Sequence, residues 1–169
     1  MAPSTDKKSL RWLPLIVVSP VDVGRLMREL EFIENWYLQA KITNPQAVNA
    51  QAKTSTAMDQ TLTLNKLEVN REEDRKELKR YLDEIHKNAP VLHMSFSADP
   101  STPFLEKLMN WLRSEIHPSV LLTVGLQPNI GAGCIIRSTN KYFDCSMRSD
   151  FLKKRQLLKD LLSAKEVVR

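Results

Sequence analysis

Residues 120–152 read VLLTVGLQPNIGAGCIIRSTNKYFDCSMRSDFL, and this stretch decides the fold of the second half of the chain. Two apolar strands, over 120–126 and 132–138, flank a link that carries Pro128 and Gly131, and Gly133 stands at the start of the second strand. Glycine at Gly131 and Gly133 suits a backbone that turns, or passes a neighbour where a side chain would clash. Thr139-Asn140 then reads as a two-residue hairpin turn, with Asn140 tolerating the left-handed conformation such turns ask for. A fourth strand, Tyr142–Cys145, folds back on the third. Asp144 and Ser146 stand just before a basic amphipathic helix, where each can accept hydrogen bonds from its free N–H groups. In that helix Met147, Phe151, Leu158, Leu161 and Leu162 are the inward-facing set.

The hairpin fixes a register. Ser138 faces Lys141, Arg137 faces Tyr142, Ile136 faces Phe143, Ile135 faces Asp144 and Cys134 faces Cys145. Alternation puts both cysteines on the face of Ile136 and Phe143, which we expect to be buried, with the thiols serving as small apolar fillers.

Working back from residue 120, Val91–Ala98 alternates with period two. Leu92, Met94, Phe96 and Ala98 share one face, and His93, Ser95 and Ser97 the other. Asp99-Pro100-Ser101 ends that strand. Thr102 caps a helix, Pro103 takes its first position, and Phe104–Ile116 carries the stripe Leu105, Leu108, Met109, Leu112 and Ile116. The order over residues 90–169 is therefore β-α-β-β-β-α.

Asn88-Ala89-Pro90 is the expected domain boundary, and before it the periodicity is helical. Val23, Leu26, Met27, Leu30, Ile33 and Trp36-Tyr37 form one stripe, which Thr43-Asn44-Pro45 ends. Residues 46–66 read as a polar helix with a thin apolar seam, and a hairpin through Leu62-Thr63-Leu64 and Leu67-Glu68-Val69 is the competing reading. Asn70, with Glu73 at the capping-box position, opens a helix from Arg71 to Lys87 with Leu78, Tyr81, Leu82 and Ile85 inward. Residues 1–19 form an expected flexible leader with the short apolar segment Leu13–Val18. The fold class is α+β, with a helical domain over 20–89 and a small α/β domain over 90–169.

Composition narrows the function. A chain of 169 residues with 42% hydrophobic and 27% charged residues is of ordinary globular make-up. No apolar run approaches the ~18–20 residues that span a bilayer. The formal net charge is +5. From Met147 onward seven basic residues (Arg148, Lys153, Lys154, Arg155, Lys159, Lys165, Arg169) face three acids (Asp150, Asp160, Glu166), so the excess concentrates in the last helix. Two cysteines are too few for a disulfide scaffold. His86, His93 and His117 lie on different elements without metal-ligand spacing. Gly131-Ala132-Gly133 lacks the third glycine of a dinucleotide loop and the Gly-Lys-Ser/Thr of a P-loop. No nucleophile-base pattern is visible, so neither catalytic residue, metal nor cofactor is expected. Trp12, Trp36 and Trp111 read as core or interface anchors.

The opening stretch resembles the C-terminal segment of the delta subunit family of F-type ATP synthases, called oligomycin-sensitivity-conferring protein in mitochondria. That family reads roughly Asp-Pro-x-Leu-Ile-Gly-Gly, three apolar residues, a basic residue, a turn, then Asp-Gly-Ser before a basic helix. Here Gln127-Pro128-Asn129-Ile130 and Gly131-Ala132-Gly133 take the first positions. Cys134-Ile135-Ile136 with Arg137 continues the strand. Thr139-Asn140-Lys141 matches the turn, and Asp144-Cys145-Ser146 matches Asp-Gly-Ser. Upstream, the strand, helix and strand of 91–126 recur in the family's order. The resemblance runs from residue 91 onward; the six-helix bundle with which the family begins has no match.

What it implies is a non-catalytic peripheral-stalk (stator) subunit, peripheral to the cytoplasmic face of a membrane as part of a complex. The implied partners are the stalk subunit b, or an equivalent helical protein, and the N-terminus of the alpha subunit. Trp111, Phe151, Lys153, Lys154 and Arg155 are the partner-binding candidates. The structural motif is Gly131, Gly133, Arg137, Asn140, Asp144 and Ser146. A small basic nucleic-acid-binding α/β module is the alternative, suggested by the sequence pI near 9.3.

Overall fold

The computed structural model describes residues 12–43, 52–157 and 159–160. The chain has an α+β fold with an N-terminal helical region. Its elements are α1 (Pro20–Thr43), α2 (Thr56–Asn65), α3 (Glu72–Asn88), β1 (Val91–Phe96), α4 (Thr102–Glu115), β2 (Leu121–Leu126), β3 (Gly133–Arg137), β4 (Tyr142–Ser146) and α5 (Arg148–Lys153). A 3-10 turn at Pro128–Ile130 links β2 to β3. Two compact units result, a helical one through Val91 that takes in Pro103–Leu122, and a sheet unit of Leu92–Thr102 with the chain from Thr123 onward. The division crosses β1 and β2, and α4 groups with α1–α3.

In the helical unit the expected stripe of α1 is the buried one: Val23, Leu26, Leu30, Ile33 and Tyr37. They join Met58 and Leu62 of α2, Leu78, Tyr81, Leu82 and Ile85 of α3, and Leu13, Val17 and Leu121 in one cluster. The stretch that could have been a hairpin holds no strand: Leu62, Thr63 and Leu64 lie in α2, which Ser55 caps by accepting from the Met58 N–H at 3.2 Å, and Leu67-Glu68-Val69 follow it as loop and turn. Residues 46–51 of the same expected polar helix lie outside the described residues, with 44–45 before them and 1–11 of the leader.

Capping differs from expectation at α3. Arg71, not Asn70, is the N-cap, and no side chain caps it. The carboxylate that reaches back belongs to Asp74, which accepts from the Glu68 N–H at 2.8 Å. At α1 an unpredicted capping box forms. Asp22 Oδ2 accepts from the Ser19 N–H at 2.9 Å, and Ser19 Oγ accepts from the Asp22 N–H at 3.3 Å.

Two arginines organise the interior of this unit. Arg75 is buried, stacks its guanidinium 4.5 Å from the Tyr37 ring centroid and donates to the Val69 carbonyl at 2.7 Å. Arg113 of α4 donates to the carbonyls of Leu13 (2.8 Å), Pro14 (2.9 Å) and Val17 (2.5 Å). The segment before α1 is thereby tied down, and Leu122 donates its N–H to the Val18 carbonyl at 2.8 Å.

The sheet is mixed, in the order β2-β1-β3-β4. β1 pairs antiparallel with β3, His93 opposite Arg137 and Phe96 opposite Cys134. β3 pairs antiparallel with β4 in the expected register, from Arg137 opposite Tyr142 to Cys134 opposite Cys145. Met94, Phe96, Cys134, Ile136, Phe143 and Cys145 share one face.

Candidate functional site

Everything the motif names lies in the sheet unit, so the site is built from there. Gly131 closes the 3-10 turn at φ +79°, ψ −62°, the values of a strained γ-turn that glycine alone adopts cheaply. Gly133 has φ +87°, and a Cβ there would strike the Cys145 carbonyl oxygen and come within 3.0 Å of the Ser146 Cα. The two glycines therefore do different work: the first turns the chain, the second also lets β4 come close.

Ser138 donates its N–H to the Lys141 carbonyl at 2.8 Å and closes the hairpin. Asn140 does not take the left-handed conformation expected of it; Lys66, after α2, is the non-glycine residue with positive φ among those described. Asp144 and Ser146 also differ from their expected roles. Ser146 ends β4, Met147 is the N-cap of α5, and no side chain caps that helix. Asp144 instead accepts from the Ser146 N–H at 2.9 Å. Hydrogen bonding from the Ser146 side chain, and then from its backbone, holds the Asp144 carboxyl below its ordinary range. The carboxylate stabilises the end of the strand rather than the start of the helix.

The face of the sheet opposite the cysteines carries a groove of about 400 Å³ lined by His93, Ser95, Gln127, Arg137 and Tyr142 among others. The Arg137 guanidinium lies 5.9 Å from the Tyr142 ring centroid. It is a shallow polar surface, able to hydrogen-bond but without a paired nucleophile and base.

The inward-facing expectation for the last helix fails where the structure describes it. Met147 and Phe151 are exposed, Phe151 by 57%, alongside Leu152 and Leu157. Leu158, Leu161 and Leu162 lie outside the residues whose side chains are described. The buried cysteine face fails as well: Cys145 and Phe143 are exposed and Cys134 is half-buried. Periodicity identifies an apolar stripe but cannot say whether this chain supplies its cover.

Of the partner-binding candidates, Phe151 and Lys153 lie in α5, with Lys154 and Arg155 directly after it, all exposed. Trp111 is exposed on α4 and belongs to the helical unit. Sequence reasoning missed Arg75 and Arg113, whose partners lie in other segments, and it missed the Ser19–Asp22 box, which its spacing could have revealed. Among the described residues no helix is long and apolar enough to cross a membrane, and no three His, Cys, Asp or Glu side chains are grouped to hold a metal. No protein-family model matches the chain, and no curated protein sequence matches it.

Proposed function

We propose that this chain is a non-catalytic peripheral-stalk subunit of an F-type ATP synthase. It links stalk helices to the catalytic head and resists torque during proton-driven ATP synthesis. The observation that carries the reading is the hairpin segment. Its glycines, its turn and its passage through Asp144-Cys145-Ser146 into a basic helix resemble the delta-family sequence order along one continuous stretch, and here they form a hairpin with α5 after it.

The physics of the job agrees with the surface. Holding a helix against torque needs exposed apolar anchors ringed by charge, and Phe151, Leu152 and Leu157 are exposed beside Lys153, Lys154 and Arg155. The partner that suits them is an amphipathic helical protein with an acidic flank, such as the stalk subunit b. Membrane association is then indirect, at the cytoplasmic face.

Titration of the purified protein with a helical fragment of stalk subunit b tests the reading. Binding is expected, and the triple change Lys153→Glu, Lys154→Glu, Arg155→Glu should weaken it about tenfold or more without altering the fold, since exposed charges contribute little to stability. Unchanged binding after the triple change would move the interface elsewhere. Salt-dependent binding to RNA or DNA with no affinity for the stalk helix would favour the nucleic-acid module instead.

A further inference from the structure

The two cysteines of the chain, eleven positions apart in sequence, face each other across β3 and β4. Both side chains lie on the face of Ile136 and Phe143, with Cys145 exposed and Cys134 half-buried. Inert cysteines are normally enclosed; a cross-strand pair within reach of solvent is not.

The parity of the ladder says what kind of pair this is. Ser138 donates to Lys141, and at the other end Met147 donates its N–H to the Ala132 carbonyl at 2.9 Å. Hydrogen-bonded and non-hydrogen-bonded pairs alternate along an antiparallel ladder, so Cys134–Cys145, an even number of steps from both, is a hydrogen-bonded pair. Such pairs hold their Cα atoms about 5.5 Å apart, inside the ~4.4–6.8 Å window of disulfides. Their side chains stand farther apart than in the alternate pair. Closure is therefore allowed but imperfect, and an imperfect, exposed disulfide is readily reduced.

We propose that Cys134 and Cys145 form a reversible redox dithiol that staples β3 to β4 when oxidised by a low-molecular-weight disulfide. The exposed Cys145 thiolate attacks one sulfur of oxidised glutathione, and one glutathione thiolate leaves. The Cys134 thiolate then attacks the Cys145 sulfur, and the second glutathione leaves. Two protein thiols become one disulfide, and their two electrons reduce the glutathione disulfide to two thiols. The protons released by the cysteines are taken up by the departing thiolates or by water. Burial, and secondarily the charge of Cys145, push the Cys134 thiol up, which agrees with Cys134 acting second. Because Cys145 stands two positions before Met147, the N-cap of α5, oxidation fixes the strand from which that basic helix departs.

The test is to incubate the folded full-length protein with mixtures of oxidised and reduced glutathione, then quench by alkylation and measure intact mass. The expected product is a monomer lighter by two hydrogens, resistant to alkylation at both cysteines and restored by excess reduced glutathione. Amide exchange at Cys134 and Cys145 should slow in the oxidised form. Cys134→Ser should stop at a glutathione adduct on Cys145. Mass and labelling read the thiols directly, whatever α5 binds. Both thiols staying open to alkylation under oxidised glutathione, or a wild-type product that is a stable adduct or a disulfide-linked dimer, would overturn the proposal.

Discussion

The helical unit and the sheet unit differ in how much apolar core each encloses. In the helical unit Leu26, Leu30, Ile33, Tyr37, Met58, Leu78 and Leu82 are nearly or wholly enclosed. In the sheet unit the buried apolar residues among those described are Met94, Phe96 and Ile130, while Leu126, Phe143, Phe151 and Leu152 are more than half exposed. The first unit encloses a broad core although Phe32, Leu38, Ile42 and Trp111 stay exposed on it, and the second encloses few of its apolar side chains.

The largest expected effect strikes at that contrast. Leu78→Ala, in the core of the helical unit, should lower unfolding stability by about 2–5 kcal/mol through lost transfer energy and a cavity. Phe143→Ala, on the exposed sheet face, should cost under ~1 kcal/mol. Equilibrium denaturation of both variants reads the difference directly. Equal losses would mean that the sheet face is covered in the isolated protein and that the contrast is false.

A sharper version compares the two glycines of the link. Gly133→Ala should destabilise the hairpin by about 2–4 kcal/mol, since backbone strain of ~1–3 kcal/mol is joined by collision with β4. Gly131→Ala meets nothing within 4 Å and should incur the strain alone. Hydrogen exchange of the β3–β4 amides should separate them, with greater loss of protection in the Gly133 variant. A more severe Gly131 variant would show that turning, and not close approach, is what the motif requires.

The smallest effect lies on the helical surface. The hydrogen bond from Lys76, and next that from Lys41, lowers the Glu72 carboxyl from 4.5 to about 2. Because the folded value is depressed, any stabilisation is present above the unfolded value and is lost as pH falls through the folded one. Glu72 is fully exposed, so Glu72→Gln should barely move the denaturation midpoint at neutral pH. Titration of Glu72 by NMR gives the direct check. A midpoint near 4.5 would mean that these ion pairs do not persist in solution.

Much of this was legible in the sequence because it depends on near neighbours. The stripes of α1 and α3 follow from 3.6-residue periodicity. The register of Cys134 against Cys145 follows from a two-residue turn and simple alternation, and both glycine positions follow from the backbone they permit. These are properties of residues within a few positions of each other, where chain geometry leaves few choices. The tertiary structure decided what each stripe touches. Arg113 finds carbonyl partners nearly a hundred positions away. Arg75 stacks on Tyr37, and Asp144 turns to Ser146 rather than to the helix. The apolar sides of β4 and α5 proved to be surface rather than core. Local propensity sets the direction of a side chain, but burial is a sum over distant segments, and no window of sequence contains that sum.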